Sequence, residues 1–389
     1  MRIRSRSIAA LFVVSAIAGA CGSSATPAPT AAPTAAPTAA PTAATSTAPT
    51  AAPTAAGLGT ATSDAALCTA PTAPAGTTLT VSSYGGAYQK AQRTGWFEPY
   101  AKATGVTFVE NEESANATIK SQVESGQVTW DLVDVGNDFG LAGNAPLLEK
   151  LDYNVIAGNE VIPGFASDYR VADITYGVVL AYRTDLNKGV PQGWADFFDL
   201  AKFPGKRGIY DYSAGGVFEI ALMADGVAPK DLYPLDIPRA IKKLDTIKDS
   251  IVWWPGGAKS QELIGSGEVS MALMWNGRAW SAKNVDNKPV AIQWNQQLLT
   301  ADFWVIPKGT PNKEAAMNFL AWTICKQNNA APSDSIPYGP TNTLAKANPA
   351  KAPELAATNV NATTAYFNDQ WLVDNAKMLD DQFNAWKTK

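Results

Sequence analysis

The sequence has no histidine. That removes every Ser-His and Cys-His arrangement for nucleophilic catalysis, and with it the commonest metal ligand. It also lacks a G-x-S-x-G elbow, a Cys or His metal spacing and an obvious close carboxylate pair. Turnover, a bound metal and any other cofactor are therefore not expected. No basic run is present, and 31 Lys plus Arg stand against 35 Asp plus Glu for a net charge of −4. Nucleic acid is not an expected partner. Apolar runs are short throughout, so no segment reads as a comfortable transmembrane span.

The chain opens with "MRIRSRSIAALFVVSAIAGAC", which reads as an export signal over residues 1–20. Arg2, Arg4 and Arg6 make a cationic start, residues 8–17 an apolar core, and "AGAC" a small-residue cleavage site. Cys21 directly after the cleavage point fits a bacterial lipobox, so it is the expected lipidation site. Loss of the three arginines takes the net charge from −4 to −7. Residues 21–76 carry a four-residue Pro/Thr/Ala repeat, "PTAAPTAAPTAA", without aromatics or an apolar period. Such a stretch cannot offset its chain entropy with a core and favours extended polyproline II structure. At roughly 3.1 Å per residue, some fifty residues reach on the order of 100 Å. The expectation is a disordered tether between a lipid anchor and a folded head. Export also permits Cys68 and Cys325 to pair.

From Thr77 onward, short β-rich runs ("TLTV", "DLVDV", "YGVVLAYR", "RGIYDY", "VSMALMW") alternate with amphipathic stretches ("AYQKAQRTGWFEPYAKA", "PRAIKKLDTIK", "KEAAMNFLAWTI"). This alternation predicts α/β layers with mainly parallel strands. About 310 residues exceed one comfortable core, which predicts two lobes. In "DQWLVDNAKMLDDQFNAWK", Leu372, Ala376, Leu379, Phe383 and Trp386 recur at helical spacing and predict a docking helix.

"SSYGGAYQKA" fails both the Walker and the dinucleotide patterns. What remains is a tight turn that exposes Tyr84 and Tyr88 near a helix start. Tyrosine rings flank alkyl chains and attract cations, although the same residues also fit a structural βα turn. In "GEVSMALMWNGRAW", Trp275 ends a strand-like run, Asn276 can orient a polar group, and Arg278 can take a carboxylate bidentately. Asn137 and Asp138 follow "DLVDV", Asp302 precedes "FWVIPKG", and Tyr338 sits in "SIPYGPTN". In open α/β sheets ligands bind beyond the carboxyl ends of strands, where Trp275 and Asp138 fall.

Taken in order, "YGGAYQKA", "GWFEPYAKATGV", "DLVDVGN", "TYGVVLAYRTD", "WADFFDLAKFPGKRGIYD", "GEVSMALMWNGRA", "DFWVIPKGTPNKEAAMNFLAW" and "IPYGPTN" resemble the spermidine/putrescine-binding family. These are extracellular solute-binding proteins of ABC importers. The resemblance runs from about Thr77 to the C-terminus. It implies an α/β, two-lobe periplasmic-binding-protein fold of type II with a ligand cleft between lobes. The first lobe would span 77–182 and the second 183–302, with 303–389 returning to the first. "YGVVLAYRTD" and "DFWVIPKG" would be the crossings. It further implies a monomer, an ABC permease and ATPase as partners, and a location on the outer face of the bacterial cytoplasmic membrane.

The resemblance implies aromatic rings around a ligand's methylenes and acids at its ammonium ends. Tyr84, Tyr88, Asn137, Asp138, Trp275, Asp302 and Tyr338 match its ligand positions. One departure concerns the second-lobe acids, which align near "DYSAGGVF", where this chain has Ser213 and Gly216. Either Asp138 or Asp211 replaces the missing acid, or the ligand carries less positive charge. The leading expectation is a polyamine such as spermidine or putrescine. The alternative, suggested by Arg278, is a zwitterionic ω-amino acid such as 4-aminobutyrate. A rival of another class is a carbohydrate-binding or glycan-processing lipoprotein, which twelve tryptophans would suit.

Overall fold

The computed structural model describes residues 58–64, 68–69 and 74–389. The expected leader, Cys21 and most of the tether lie outside these residues. Among the described residues eleven strands are formed. The first three are β1 (Thr78–Ser82), β2 (Thr107–Asn111) and β3 (Leu132–Val135). The short β4 (Ala166–Ser167) precedes the long β5 (Arg170–Arg183). Then come β6 (Arg207–Tyr210), β7 (Ile251–Trp254), β8 (Met271–Trp275) and the long β9 (Val290–Val305). Two short strands, β10 (Gly339–Pro340) and β11 (Ala365–Tyr366), follow.

All eleven share one sheet, with the path β2-β1-β3-β9-β5-β8-β6-β7 and the short strands on its flanks. At one end β1 pairs in parallel with β2 and β3. At the other, β6 pairs in parallel with β7 and β8. Helices join these strands, as right-handed crossovers require. Between the two ends run β5 and β9, antiparallel to each other from Val171↔Trp304 to Arg183↔Val290.

The 14 residues of β5 are buried throughout, and at roughly 3.3 Å per residue they span about 45 Å. A strand covered on both faces reads as a continuous apolar run, which "ITYGVVLAY" is. The expected crossing pieces fall on β5 and on the end of β9, but both strands begin earlier than the motifs do. The helix Asp369–Lys387 buries Leu372, Leu379, Phe383 and Trp386. Its Phe383 and Trp386 rings meet Trp253 at 5.5 and 5.9 Å, and the Trp386 indole donates to Asp245 at 2.7 Å. Its first turn reaches the other end of the sheet, where Arg170 donates to Asp369 at 2.6 Å.

Before β1, Cys68 and Cys325 are joined by a disulfide with their Cα atoms 5.6 Å apart. Nearby, the Ser63 amide donates to Glu160 at 2.9 Å and the Ser63 hydroxyl accepts from the Lys326 amide at 3.0 Å.

Candidate ligand cleft

The carboxyl ends of the parallel strands at both ends of the sheet converge on one place. The turn after β1 supplies Tyr84 and Tyr88. Gly85 and Gly86 have φ of +61° and +55°, a region that side chains with a Cβ avoid. A Cβ on Gly86 would also sit 2.7 Å from Arg278 Nη1. Both glycines are thus required, and the helix Gly86–Gln92 that follows carries Tyr88 and Gln92 inward.

Seven rings meet there. Trp275, at the end of β8, is approached edge-on by Tyr84 at 5.7 Å, Tyr176 at 6.1 Å, Tyr210 at 5.4 Å and Trp254 at 5.4 Å. Tyr210 also stacks on Trp254 at 4.4 Å. Tyr338 lies 5.3 Å from Tyr88 and 5.8 Å from Tyr176. Edge-to-face contacts of this kind hold the rings in fixed orientations.

Three carboxyl groups lie on the neighbouring strands β3, β9 and β5: Asp134, Asp302 and Asp173. Asp134 and Asp173 are fully buried and Asp302 is 6% exposed. Burial pushes all three up from the ordinary carboxylate range, and Asp173 reaches about 7. After burial, the charge of Asp173 is the next cause for both Asp134 and Asp302. The Tyr88 hydroxyl donates to Asp173 at 3.0 Å, and the Gln92 amide donates to Asp134 at 2.7 Å.

Arg278 lies in the first turn of the helix Asn276–Asn284 and is fully buried. Its Nη2 donates to the carbonyls of Gly85 at 2.8 Å and Tyr84 at 3.3 Å. Its Nε and Nη1 have no hydrogen-bond partner, and among the described residues no carboxylate pairs with it. Burial lowers its pKa, while Tyr338, Tyr88 and Asp302 favour its charge. A surface depression of about 280 Å³, lined in part by Gly86, Ala87, Ala258 and Glu262, reaches it from outside. A buried guanidinium with two nitrogens lacking a hydrogen-bond partner is an incomplete anion site.

Tyr84, Tyr88, Trp275, Arg278, Asp302 and Tyr338 therefore come together. Asp138 stands at the edge of the group, accepting from the Tyr212 hydroxyl. Asn137 is spent elsewhere: its side chain donates to Asp369 at 3.2 Å and its carbonyl accepts from Arg170 at 2.7 Å. Ser213 donates to Asp380 on the C-terminal helix, and Asp211 pairs with Lys387. Asn276 is a rivet, accepting from the Gly177 amide at 3.0 Å and donating to the carbonyls of Pro337 and Glu354 at 2.9 and 3.1 Å. Sequence reasoning missed Asp134, Asp173, Tyr176, Tyr210 and Gln92. The available signal was a lone acid inside an apolar strand, in "LVDV" and "VADITYG", since an unpaired charge is not buried without cause.

The pattern of the bacterial extracellular solute-binding protein family matches residues 95–358. The gamma-aminobutyric acid-binding protein of Pseudomonas aeruginosa is 36% identical over 323 residues, which cover 80% of this chain and 91% of that protein. The solved structure of a GABA receptor matches with 40% identity and a TM-score of 0.73, over 79% of this chain and 97% of that one. The spermidine/putrescine-binding periplasmic protein of Escherichia coli is more distant, 22% identical over 275 residues, 67% of this chain and 77% of that protein. With the family pattern matched over 95–358, a relative 36% identical over 80% of the chain and solved neighbours of the two-lobe fold, the chain belongs to the bacterial extracellular solute-binding protein family, whose members are transport proteins.

Proposed function

We propose that this protein captures a small zwitterionic ω-amino acid, with 4-aminobutyrate as the type, and delivers it to an ABC permease. The observation that carries this reading is Arg278. It is buried, has no carboxylate partner among the described residues and leaves two nitrogens without a hydrogen-bond partner, and the charge of Asp302 acts on it. A carboxylate at Arg278 and an ammonium at Asp302 satisfy both ends of one short ligand. The methylenes between them would lie among Tyr84, Tyr88, Trp275 and Tyr338.

A linear diamine suits this enclosure less well. It would bring a second cation towards Arg278 and leave the guanidinium without its anion, at a cost set by burial. The more similar relatives named for gamma-aminobutyrate support the same choice. The weight therefore moves from the polyamine expected from sequence to the ω-amino acid.

In this reading residues 77–182 and 183–302 are the lobes, β5 and β9 are the hinge strands, and closure excludes water from the ligand. Cys21 holds the protein, as a monomer, at the outer face of the cytoplasmic membrane. Native mass spectrometry of protein purified without added ligand tests the ligand class. Retained cargo with the mass of an ω-amino acid is the expected result, and retained putrescine or spermidine would return the assignment to a polyamine.

A further inference from the structure

The acids on the cleft floor exceed what a single ammonium contact needs. Asp134, Asp173 and Asp302 stand on three adjacent strands, buried, with Arg278 acting through space on Asp302. The groups around them have a definite count. Asp134 Oδ2 accepts from Ser83 at 3.1 Å and Gln92 at 2.7 Å. Asp173 accepts from Tyr88 at 3.0 Å and from the Ile174 amide at 2.8 Å. Asp302 has the Tyr176 hydroxyl, with Asp138 and Arg278 next in electrostatic influence. Tyr84, Tyr210 and Tyr338 complete the titratable groups that feel these charges. Two buried acceptors remain without a donor, Asp134 Oδ1 and Gln92 Oε1. They are close together, because the Gln92 amide nitrogen itself bonds Asp134. Idle acceptors beside an excess of carboxyls are what an –NH3⁺ group, with three donors, would complete.

We propose that Asp134, Asp173, Asp302 and Gln92 form one ammonium seat, which holds a shared proton when empty and releases it to solvent when a primary ammonium enters. The proposal rests on the reading that the ligand carries an ammonium, as ω-amino acids and diamines both do. Three buried carboxylates this near one another do not all ionise without a counter-cation. An entering ammonium supplies one. The proton leaves a carboxyl for buffer, one positive charge replaces another, and the local charge is unchanged. The burial-driven rise of Asp173 to about 7 puts this exchange near neutrality. Ligand affinity should therefore fall as pH drops below about 7, by up to tenfold per unit, because more of the seats hold the proton that the ligand must displace.

Calorimetry on the full chain tests it, with 4-aminobutyrate and putrescine as probes. Each is titrated at pH 6.5 in phosphate and Tris, whose ionisation enthalpies differ widely. For whichever amine binds, the apparent enthalpy should shift between buffers by the equivalent of roughly half to one proton released per ligand. The Asp173→Asn protein should bind more weakly and lose most of that shift, with a melting temperature no lower than that of the original. A seat filled by ordinary water predicts no buffer dependence. Tight binding with the same enthalpy in both buffers would overturn the proton exchange and leave the ligand class intact. Binding of neither amine would overturn both.

Discussion

Arg278 concentrates the argument at the scale of single residues. Its remaining N–H groups wait beside glycine backbone, since a Cβ on Gly257 would lie 2.6 Å from Nε and one on Gly86 2.7 Å from Nη1. Replacing it by Gln should weaken 4-aminobutyrate binding by about 30- to 100-fold, the loss of roughly 2–3 kcal/mol of charge-assisted hydrogen bonding. Lysine should not rescue it, because an ammonium cannot reproduce the planar fork. Equal affinity in the Gln variant, read by calorimetry, would show that the carboxylate sits elsewhere. A different buried acid sets a stability profile. Glu219 accepts from the Tyr233 hydroxyl at 2.6 Å, keeps a second oxygen unpartnered, and is pushed up to about 7 by burial. The folded chain therefore holds a proton there that the unfolded chain gives up above about 4.3. This contribution is full below that value and is lost as pH rises to about 7, on the order of 3 kcal/mol. Glu219→Gln should raise stability at pH 8 and change it little at pH 4, as urea unfolding at the two pH values would show. No gain at pH 8 would count against a destabilising ionised Glu219. The aromatic and glycine residues of the site were legible because they follow strand ends in recognisable motifs. Asp134 and Asp173 were not, because a strand interior gives no local sign of which charges share a cavity.

Among the elements, the turn Gly85–Gly86 and the strand ends were legible from the change of apolar period. The central pair was read too short. "VAIQW" and "DFWVIP" look like separate strands, yet they belong to the single 16-residue strand β9. Gln296 explains the misreading. It sits inside β9 with φ of +61° and is tied to Trp194, whose indole donates to its carbonyl at 2.8 Å. A tertiary anchor thus carries the strand through a backbone irregularity that local propensity reads as a break. In the C-terminal helix, Ala376 lies at the edge of the apolar stripe and is exposed, while Leu372, Leu379, Phe383 and Trp386 fill the face. The disulfide fastens the segment before β1 to residue 325 across 257 positions. In the chain-entropy view so long a loop is worth about 4 kcal/mol or more. Cys68→Ser should accordingly lower the melting temperature by several degrees and leave ligand affinity within about twofold, since Cys68 itself makes no hydrogen bond to Tyr84, Tyr88, Trp275, Arg278 or Asp302. An unchanged melting temperature would mean that the bridge contributes little to the stability of the head.

Across the whole molecule, several contacts among the described residues join the two ends of the sheet across the cleft. Arg278 reaches the Gly85 carbonyl, Tyr212 reaches Asp138, and Arg170 pairs with Asp369 at the start of the terminal helix. In the first two of these contacts the second-end groups come from the segments after β6 and β8 and the first-end groups from the loops after β1 and β3. In the proposed reading, closure would act through the same loops that line the site. In the proposed function these loops present one anionic and one cationic station to a single ligand. The most direct measurement is the calorimetric ratio of affinities for 4-aminobutyrate and putrescine, molecules of similar length that differ at one end. The zwitterion should bind at least 100-fold more tightly, about 2.7 kcal/mol or more. Equal affinities, or a preference for putrescine, would contradict the assignment of Arg278 as the carboxylate station.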